Sequence, residues 1–390
     1  MDADRDMDPA RLSELFGQLV ARWRERQAMV PDLLAGSDGA VLVGAGKVGQ
    51  EFLGALLASG VPVFAFTDNN SAKWGHAILD VPVLAPEEAV RQFGHRAVFL
   101  VTIGRVGTAA ADVCRQFSTL GARRVVHFIP AIPRIPRIWP QFFLAPDAFD
   151  GADVESCLAA YRLFRDGLSR DLFVAHLRWR ATLDPSGLPT PEYDNQYFPP
   201  PLIAPRHCTT FVDIGAYTGD TLAAVSQFAG DSLRAYYGFE PDARNYDSLV
   251  AQAADVTRRR EGLRVVTRRT AIGAAHGTIS FAADGAATSQ VSATGAESVE
   301  CAPLDSLGVD PSYVKIDVEG AEADVLRGAA ETMGRWKPTV AIATYHRPKD
   351  LFDLPLWLAR NAPDYQFYLR SHGDAGIDLV CYAVREPALS

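Results

Sequence analysis

Lys315, Asp317 and Glu319 alternate with apolar residues in the run Tyr313-Val314-Lys315-Ile316-Asp317-Val318-Glu319-Gly320-Ala321-Glu322, and the alternation stops at Gly320. Such a pattern marks a strand that delivers its charges to one side, at its carboxyl end. Three charges on a central strand cannot all be buried unpaired, so they pair with one another or face a cleft. Asp317, nearest the strand end, is placed to orient an acceptor or take its proton; Lys315 is placed to pair with Asp317 or hold a cofactor. Glu319 and Glu322 open the next helix, where a carboxylate also complements the dipole, and capping is the plain alternative for Glu322. His346, in Tyr345-His346-Arg347-Pro348, is the one histidine of eight at a strand end of the same sheet. Its imidazole suits a general base for a hydroxyl, or a structural role. The catalytic candidates are therefore Asp317, His346, Lys315 and Glu319. Asp317 and Glu319 could also ligate a divalent cation, but nothing in the sequence requires one and no metal is expected.

About one hundred residues earlier stands Asp213-Ile214-Gly215-Ala216-Tyr217-Thr218-Gly219-Asp220. Gly215 and Gly219 let backbone approach a ligand closely. A helix starting near Asp220 presents its amides to a carboxylate, such as the amino-acid end of S-adenosylmethionine, whose ammonium Asp213 could accept from. Glu240 follows 27 residues after Asp213 (240 − 213) and ends the second strand, where an acid accepts both ribose hydroxyls. Backbone groups of Thr270-Ala271-Ile272-Gly273 fit the adenine edge. The plain alternatives are a strand-to-helix turn, a surface acid and a β-turn. The cofactor candidates are Asp213, Gly215, Ala216, Tyr217, Gly219, Asp220, Glu240, Ala271 and Ile272.

The elements that must position these residues read as a parallel α/β unit. Strands are expected at Thr210–Ile214, Ala235–Phe239, Arg264–Thr267, Val314–Val318 and Thr339–Thr344. Tyr365–Arg370 and Leu379–Val384 close the unit as an antiparallel hairpin across a Gly/Asp turn. A parallel sheet with that ending is the order of class I methyltransferases. A second α/β unit precedes it, with strands at Ala40–Val43, Val61–Thr67, Val98–Thr102 and Arg124–Phe128. Its Gly44-x-Gly46-x-x-Gly49 and Asp68, 24 residues on (68 − 44), satisfy the dinucleotide fingerprint. Between the units lie a Pro-rich linker at Pro130–Pro140, a helical stretch over Val154–Leu183 and a second Pro-rich stretch from Pro185 to Pro205. Tyr197 and Phe198, inside the latter, could wall an acceptor pocket. The expected divisions are an amphipathic helix within 1–37, a Rossmann-like unit at 38–130, a Pro-rich and helical segment at 131–206 and a second Rossmann-like doubly wound unit at 207–390.

Composition narrows the class. The chain has 390 residues, 48% hydrophobic and 22% charged, enough for ordinary cores. A net charge of −9 disfavours a nucleic-acid partner, and the Arg258-Arg259-Arg260 run reads as a solvated helix end. Five scattered cysteines form no CxxC pair, so no zinc site or disulfide framework is suggested and a reducing cytoplasm is expected. Neither a signal peptide nor a membrane span is legible. The apolar stripe of the first helix (Leu12, Leu15, Phe16, Leu19, Val20, Trp23) would pack on its own domain or on a second copy, as in a homo-oligomer.

Taken in order, DIGAYTGDT, GFEPD, the AIG turn, YVKIDVEGAEADVLRGA and YHRPKDL resemble the FkbM-type methyltransferases, over roughly Tyr197 to Glu386. That resemblance implies O-methylation with S-adenosylmethionine, commonly of sugar or polyketide-derived hydroxyls. The front unit, with FAFTDNN, Gly75 and Val81-Pro82-Val83, is similar to nucleotide-sugar-binding modules. Gly44, Gly46 and Asp68 would then hold a nucleotide or nucleotide-sugar, or form a scaffold with no ligand. The leading expectation is an O-methyltransferase for a carbohydrate or nucleotide-linked sugar. The alternatives are an NAD-dependent oxidoreductase using the front unit, for which no Ser/Tyr/Lys set is evident, and a non-enzymatic nucleotide-sensing scaffold. Intact Gly215, Glu240 and Asp317 argue against the last.

Overall fold

The computed structural model describes residues 9–29, 36–103, 110–128, 154–182, 187–282, 290–291, 297–373 and 376–385. The expected linker at Pro130–Pro140 lies outside them, as does the side chain of Trp23.

Helix α1 (Pro9–Met29) precedes the first sheet. That sheet is built from β1 (Gly39–Val43), β2 (Val63–Thr67), β3 (Ala77–Ile78), β4 (Val81–Leu84), β5 (Ala97–Val101) and β6 (Val125–His127). Helices α2 (Lys47–Ala58), α3 (Pro86–Phe93) and α4 (Ala110–Thr119) alternate with these strands. The order is β3-β4-β2-β1-β5-β6, parallel except for the β3–β4 pair. Strands β1 and β5 are buried along their whole length, as unbroken apolar runs in a parallel sheet must be. The short β3–β4 pair was not evident from the sequence; it is too brief to carry a periodic signal.

The helical stretch expected over Val154–Leu183 is two helices, α5 (Val154–Leu163) and α6 (Gly167–Thr182). Tertiary bonds break it. Phe164 bridges to Phe367, and the Asp166 carboxylate takes Arg370 at 2.7 Å and the Ser169 amide at 2.8 Å. The apolar stripe of α1 packs within this chain: Phe16 meets Tyr161 edge-on at 5.8 Å and Phe173 at 5.9 Å.

The second unit opens with β7 (Thr210–Ile214), α7 (Asp220–Ala229), β8 (Ala235–Phe239), α8 (Ala243–Arg259) and β9 (Arg264–Arg268). A small sheet follows, which the sequence reading did not anticipate: β10 (Ala271–Ile272), β11 (Gly277–Ala282), β12 (Gln290–Val291) and β13 (Glu297–Ala302), in the order β10-β13-β11-β12. The chain then returns through β14 (Tyr313–Ile316), α9 (Glu322–Arg327), α10 (Ala330–Trp336), β15 (Thr339–Ala343), α11 (Asp350–Asn361), β16 (Gln366–Ser371) and β17 (Leu379–Val384). The large sheet runs β16-β17-β15-β14-β7-β8-β9. Five strands are parallel, and β17 lies antiparallel to both β15 and β16. This is the expected methyltransferase order, with its terminal hairpin.

Alternate residues feed two cores. Val212, Ile214, Val314, Ile316, Val340 and Ile342 join α1, α5, α6 and α11 on one face; Phe211, Tyr236, Tyr313 and Ala341 join α7, α8 and the 197–208 segment on the other. Both faces are therefore covered. At one edge, β9 leaves Arg264 and Arg268 exposed. Arg258 and Arg259, in the last turn of α8, pair with Asp255, as a solvated helix end would. No helix among the described residues is long and apolar enough to cross a membrane.

Trp179 of α6 joins the two units. Its ring is 1% exposed and packs with Leu42, Phe52 and Phe128 of the first sheet's core, and a Cβ added at Gly376 would lie 2.8 Å from it. Trp179→Ala should lower stability by about 3–5 kcal/mol, measured as the midpoint shift in urea unfolding. A shift smaller than ~1 kcal/mol would show that this ring does not hold the units together.

Candidate active site

The site begins with a register. Strands β14 and β7 run side by side with Lys315 opposite Asp213. Lys315 Nζ sits 3.0 Å from Asp213 Oδ1 and donates to the Gly215 carbonyl at 2.5 Å. The Tyr236 hydroxyl donates to Asp213 Oδ2 at 2.7 Å. The Lys315 side chain is 4% exposed and that of Asp213 is 0% exposed. Burial pulls the Lys315 ammonium downward, but Asp213, Asp317 and Asp220 outweigh it and hold its pKa above the usual lysine value. Two expectations are corrected here. Lys315 pairs with Asp213 rather than Asp317, because cross-strand neighbours lie closer than successive same-face residues along one strand. Asp213 is sealed under the sheet end and does not line the cavity.

Above this pair the glycine loop presses on the end of β14. Gly215 has φ +81, and a Cβ there would lie 1.9 Å from the Asp317 carbonyl oxygen. Only glycine fits. Gly219, also left-handed at φ +87, caps α7 and packs on Gln252 and Leu249. Like Ala216, it does not line the cavity.

That cavity, about 470 Å³, lies over the carboxyl ends of the parallel strands. Gly215, Tyr217, Asp220, Glu240, Ala271, Ile272, Lys315, Asp317, Glu319 and Tyr197 all line it. Glu240 is held by two backbone amides: Tyr217 N–H to Oε2 and Asp242 N–H to Oε1, both 2.9 Å. Burial pushes its pKa up to about 7 against the pull of those amides. Ala271 and Ile272 form β10, so the expected adenine-edge turn is a short strand whose side chains meet the cavity.

At the other end the charged run does not continue as a strand. Strand β14 ends at Ile316, two residues before the expected Val318, and Glu319 turns into the left-handed region at φ +55. That turn, rather than strand alternation, brings Glu319 beside Asp317. His346, just past β15, has Nε2 3.5 Å from both Asp317 Oδ1 and Glu319 Oε2. Its Nδ1 is 2.8 Å from Glu322 Oε1, which also accepts the Val318 amide at 3.0 Å. His346 is buried behind the two carboxylates and does not itself line the cavity. Burial would lower its pKa, but Glu322, Glu319 and Asp317 push it up to about 10. Burial, with Asp317 and Glu322 nearby, pushes Glu319 up to about 8 against the opposing pull of His346.

Tyr197 donates from its hydroxyl to Asp317 Oδ2 at 2.7 Å, so the Pro-rich segment does reach the site. Phe198 does not line this cavity but an adjoining pocket of about 440 Å³ that shares Gln196, Tyr197, Asp220 and Thr221 with it, and its ring stacks on Phe228 at 4.9 Å. The sequence reading missed Asp378, which lines the cavity and accepts from Tyr345 and Gln196. Burial and Asp317 push its pKa up to about 6. An acid closing the hairpin turn before β17 was the signal available.

Gly44, Gly46 and Asp68 meet at the end of the first sheet and not at this cavity. Asp68 Oδ2 accepts the Ala45 amide at 2.9 Å and Lys73 Nζ at 2.7 Å.

The family model described as "Methyltransferase FkbM domain" matches residues 213–373, from the buried aspartate of the glycine loop to the hairpin turn. This part of the chain belongs to the FkbM methyltransferase family. The crystal structure of Methyltransferase FkbM from Methylobacillus flagellatus KT superposes with a TM-score of 0.73 at 20% identity. The match covers 97% of this chain and 100% of that one, so the two-unit fold is shared. The putative rRNA-methylase from Clostridium thermocellum matches at TM-score 0.30 and 11% identity, over 45% of this chain and 86% of its own. RSP, a Rex-family repressor, matches at TM-score 0.21 and 21% identity, over 25% and 47%. No curated protein matches the chain. The FkbM domain carries a methyltransferase role, and every residue of the cavity described above falls within it except Gln196, Tyr197 and Asp378.

Lys315→Met leaves the Asp213 carboxylate buried without its cation. It should cost about 3–5 kcal/mol at neutral pH, read by urea unfolding. Removing the cation raises the pKa of folded Asp213 further above its unfolded value, so the deficit shrinks as pH falls and the carboxyl protonates. A pH-independent deficit would show that the pair is not ionised.

Proposed function

We propose that this FkbM methyltransferase uses S-adenosylmethionine to methylate a hydroxyl of a carbohydrate or nucleotide-linked sugar, in a reducing cytoplasm consistent with its five free cysteines. The observation that carries the cofactor reading is Glu240. Two amides fix the orientation of its carboxylate at the second strand's tip, and it opens on the cavity with lone pairs left for the two ribose hydroxyls. Gly215 and Tyr217 bring backbone to the same wall, and Ala271 and Ile272 offer an apolar seat for adenine. The residues fit the group. Asp213 acts through Lys315, holding it and the loop rather than touching the cofactor's ammonium; Asp220, which lines the cavity, is the acid better placed for that contact.

When bound, S-adenosylmethionine supplies an electrophilic methyl on a sulfonium, and its transfer to a hydroxyl leaves a methyl ether, a thioether and one proton. Asp317 and Glu319 face the cavity as acceptors for that proton, with His346 behind them. Tyr197 orients Asp317 and offers a ring face to a sugar. An NAD-dependent reading of the front unit has less support, because Asp68, the fingerprint acid, is already bonded to Ala45 and Lys73. We read Gly44, Gly46 and Asp68 as scaffold.

Calorimetry with S-adenosylhomocysteine tests the cofactor site. Glu240→Gln should weaken binding by about tenfold or more. The wild-type affinity should rise between about pH 6 and 8, as the Glu240 carboxylate forms, and that rise should vanish in the variant. A labelled methyl donor offered with a panel of sugar nucleotides reads the acceptor class. Tight NAD binding without any S-adenosylhomocysteine binding would overturn the proposal.

A further inference from the structure

Asp317, Glu319 and His346 converge from two different strand ends. One ligand atom from each of Asp317, Glu319 and His346 lies within 4.8 Å of the other two, and His346 Nε2 is 3.5 Å from both Asp317 Oδ1 and Glu319 Oε2. Those separations are too long for good hydrogen bonds. They suit ligands of one small cation, because atoms bound at about 2.1 Å sit about 3.0–3.4 Å apart in octahedral or tetrahedral arrangements.

Two of the three ligand atoms have no hydrogen-bond partner among the described residues. Tyr197 occupies Asp317 Oδ2, and Oδ1 has no hydrogen-bond partner among the described residues. The His346 side chain is 2% exposed, yet its Nε2 has no hydrogen-bond partner there either and faces both carboxylates. Its other nitrogen is fixed by Glu322, whose Oε1 also accepts two backbone amides, from Val318 and Gly320. An acceptor so engaged makes Nδ1 the donor, so a cation that displaced the Nε2 proton would meet that nitrogen's lone pair directed at the cluster. A carboxylate behind a histidine in this way is the usual support of a metal-bound imidazole. Asp317 and Glu319 line the cavity, so the remaining coordination positions would open on it.

We propose that Asp317, Glu319 and His346 form a divalent-cation site on the wall of the cavity, of the carboxylate-imidazole type that suits Mn²⁺. The sequence spacing requires no metal; the third ligand comes from the end of β15, which only the fold brings round. The cation site stands on this geometry alone. Its use, holding neighbouring acceptor hydroxyls and easing loss of a proton from one, rests on the methyltransferase reading proposed above.

Full-length protein treated with EDTA should be titrated with Mn²⁺, with the free ion followed by its paramagnetic resonance signal. Saturable binding of about one ion per chain is expected, weakened about tenfold or more in both Glu319→Gln and His346→Gln. S-adenosylhomocysteine binding, measured on the same samples, reports that each variant is folded; should His346→Gln lose it, Glu319→Gln decides. No saturable Mn²⁺ binding by the wild type, or equal binding in a folded Glu319→Gln, overturns the site and leaves the cluster an ion-paired imidazolium. Mn²⁺ binding without any S-adenosylhomocysteine binding upholds the cation site and removes the cofactor reading instead.

Discussion

The Lys315–Asp213 pair is the contact on which the cavity depends. It joins the two central strands at their carboxyl ends, and almost everything that lines the cavity is referred to it. Lys315 also holds the Gly215 carbonyl, which sets the glycine loop against the Asp317 backbone. Buried ion pairs add little net stability over an apolar pair of the same shape, but breaking one is costly. The value of this one is geometric. It allows a charged residue at the centre of a sheet, next to a cavity, with its direction fixed by three partners: a carboxylate, a carbonyl and the Tyr197 ring face 5.4 Å away.

Around that pair, charge is divided by position. One side of the cavity holds Asp220 and Glu240, the latter tied to two amides. The opposite side gathers Asp317, Glu319, Glu322 and Asp378 around the single imidazole of His346. Burial and neighbouring carboxylates together lift Glu319 to about 8 and Asp378 to about 6, whereas His346 holds Glu322 below its usual value against its burial. A site so arranged favours cations and proton acceptance, and it is poorly suited to an anionic group at that end.

Much of this was legible in the residues. The parallel strands, their order and the closing hairpin follow from apolar runs bounded by Gly, Pro and Asp, and Glu240 follows from its place at a strand tip. What was not legible depends on distance through space. Lys315 was assigned the wrong carboxylate because alternation along β14 says nothing of the strand beside it. Tyr197 and Phe198 look alike in sequence, but Tyr197 reaches Asp317 while Phe198 stacks on Phe228 beside the adjoining pocket. The break between α5 and α6 is made by Phe367 and Arg370, some two hundred residues away. In the β10–β13 sheet, β10 and β12 span two residues each, too few to carry a periodic signal.

The exposed guanidinium groups of Arg264 and Arg268 have a consequence for solubility. They stand at the two ends of β9, the last strand of the large sheet among the described residues, where the Tyr246 hydroxyl donates to the Thr267 carbonyl at 3.4 Å. A strand at the end of a sheet is a template for another chain's strand, and like charges repel its copy. Two molecules meeting edge to edge would bring four cations together, so this border resists runaway fibre-like growth while leaving the other faces available for contact.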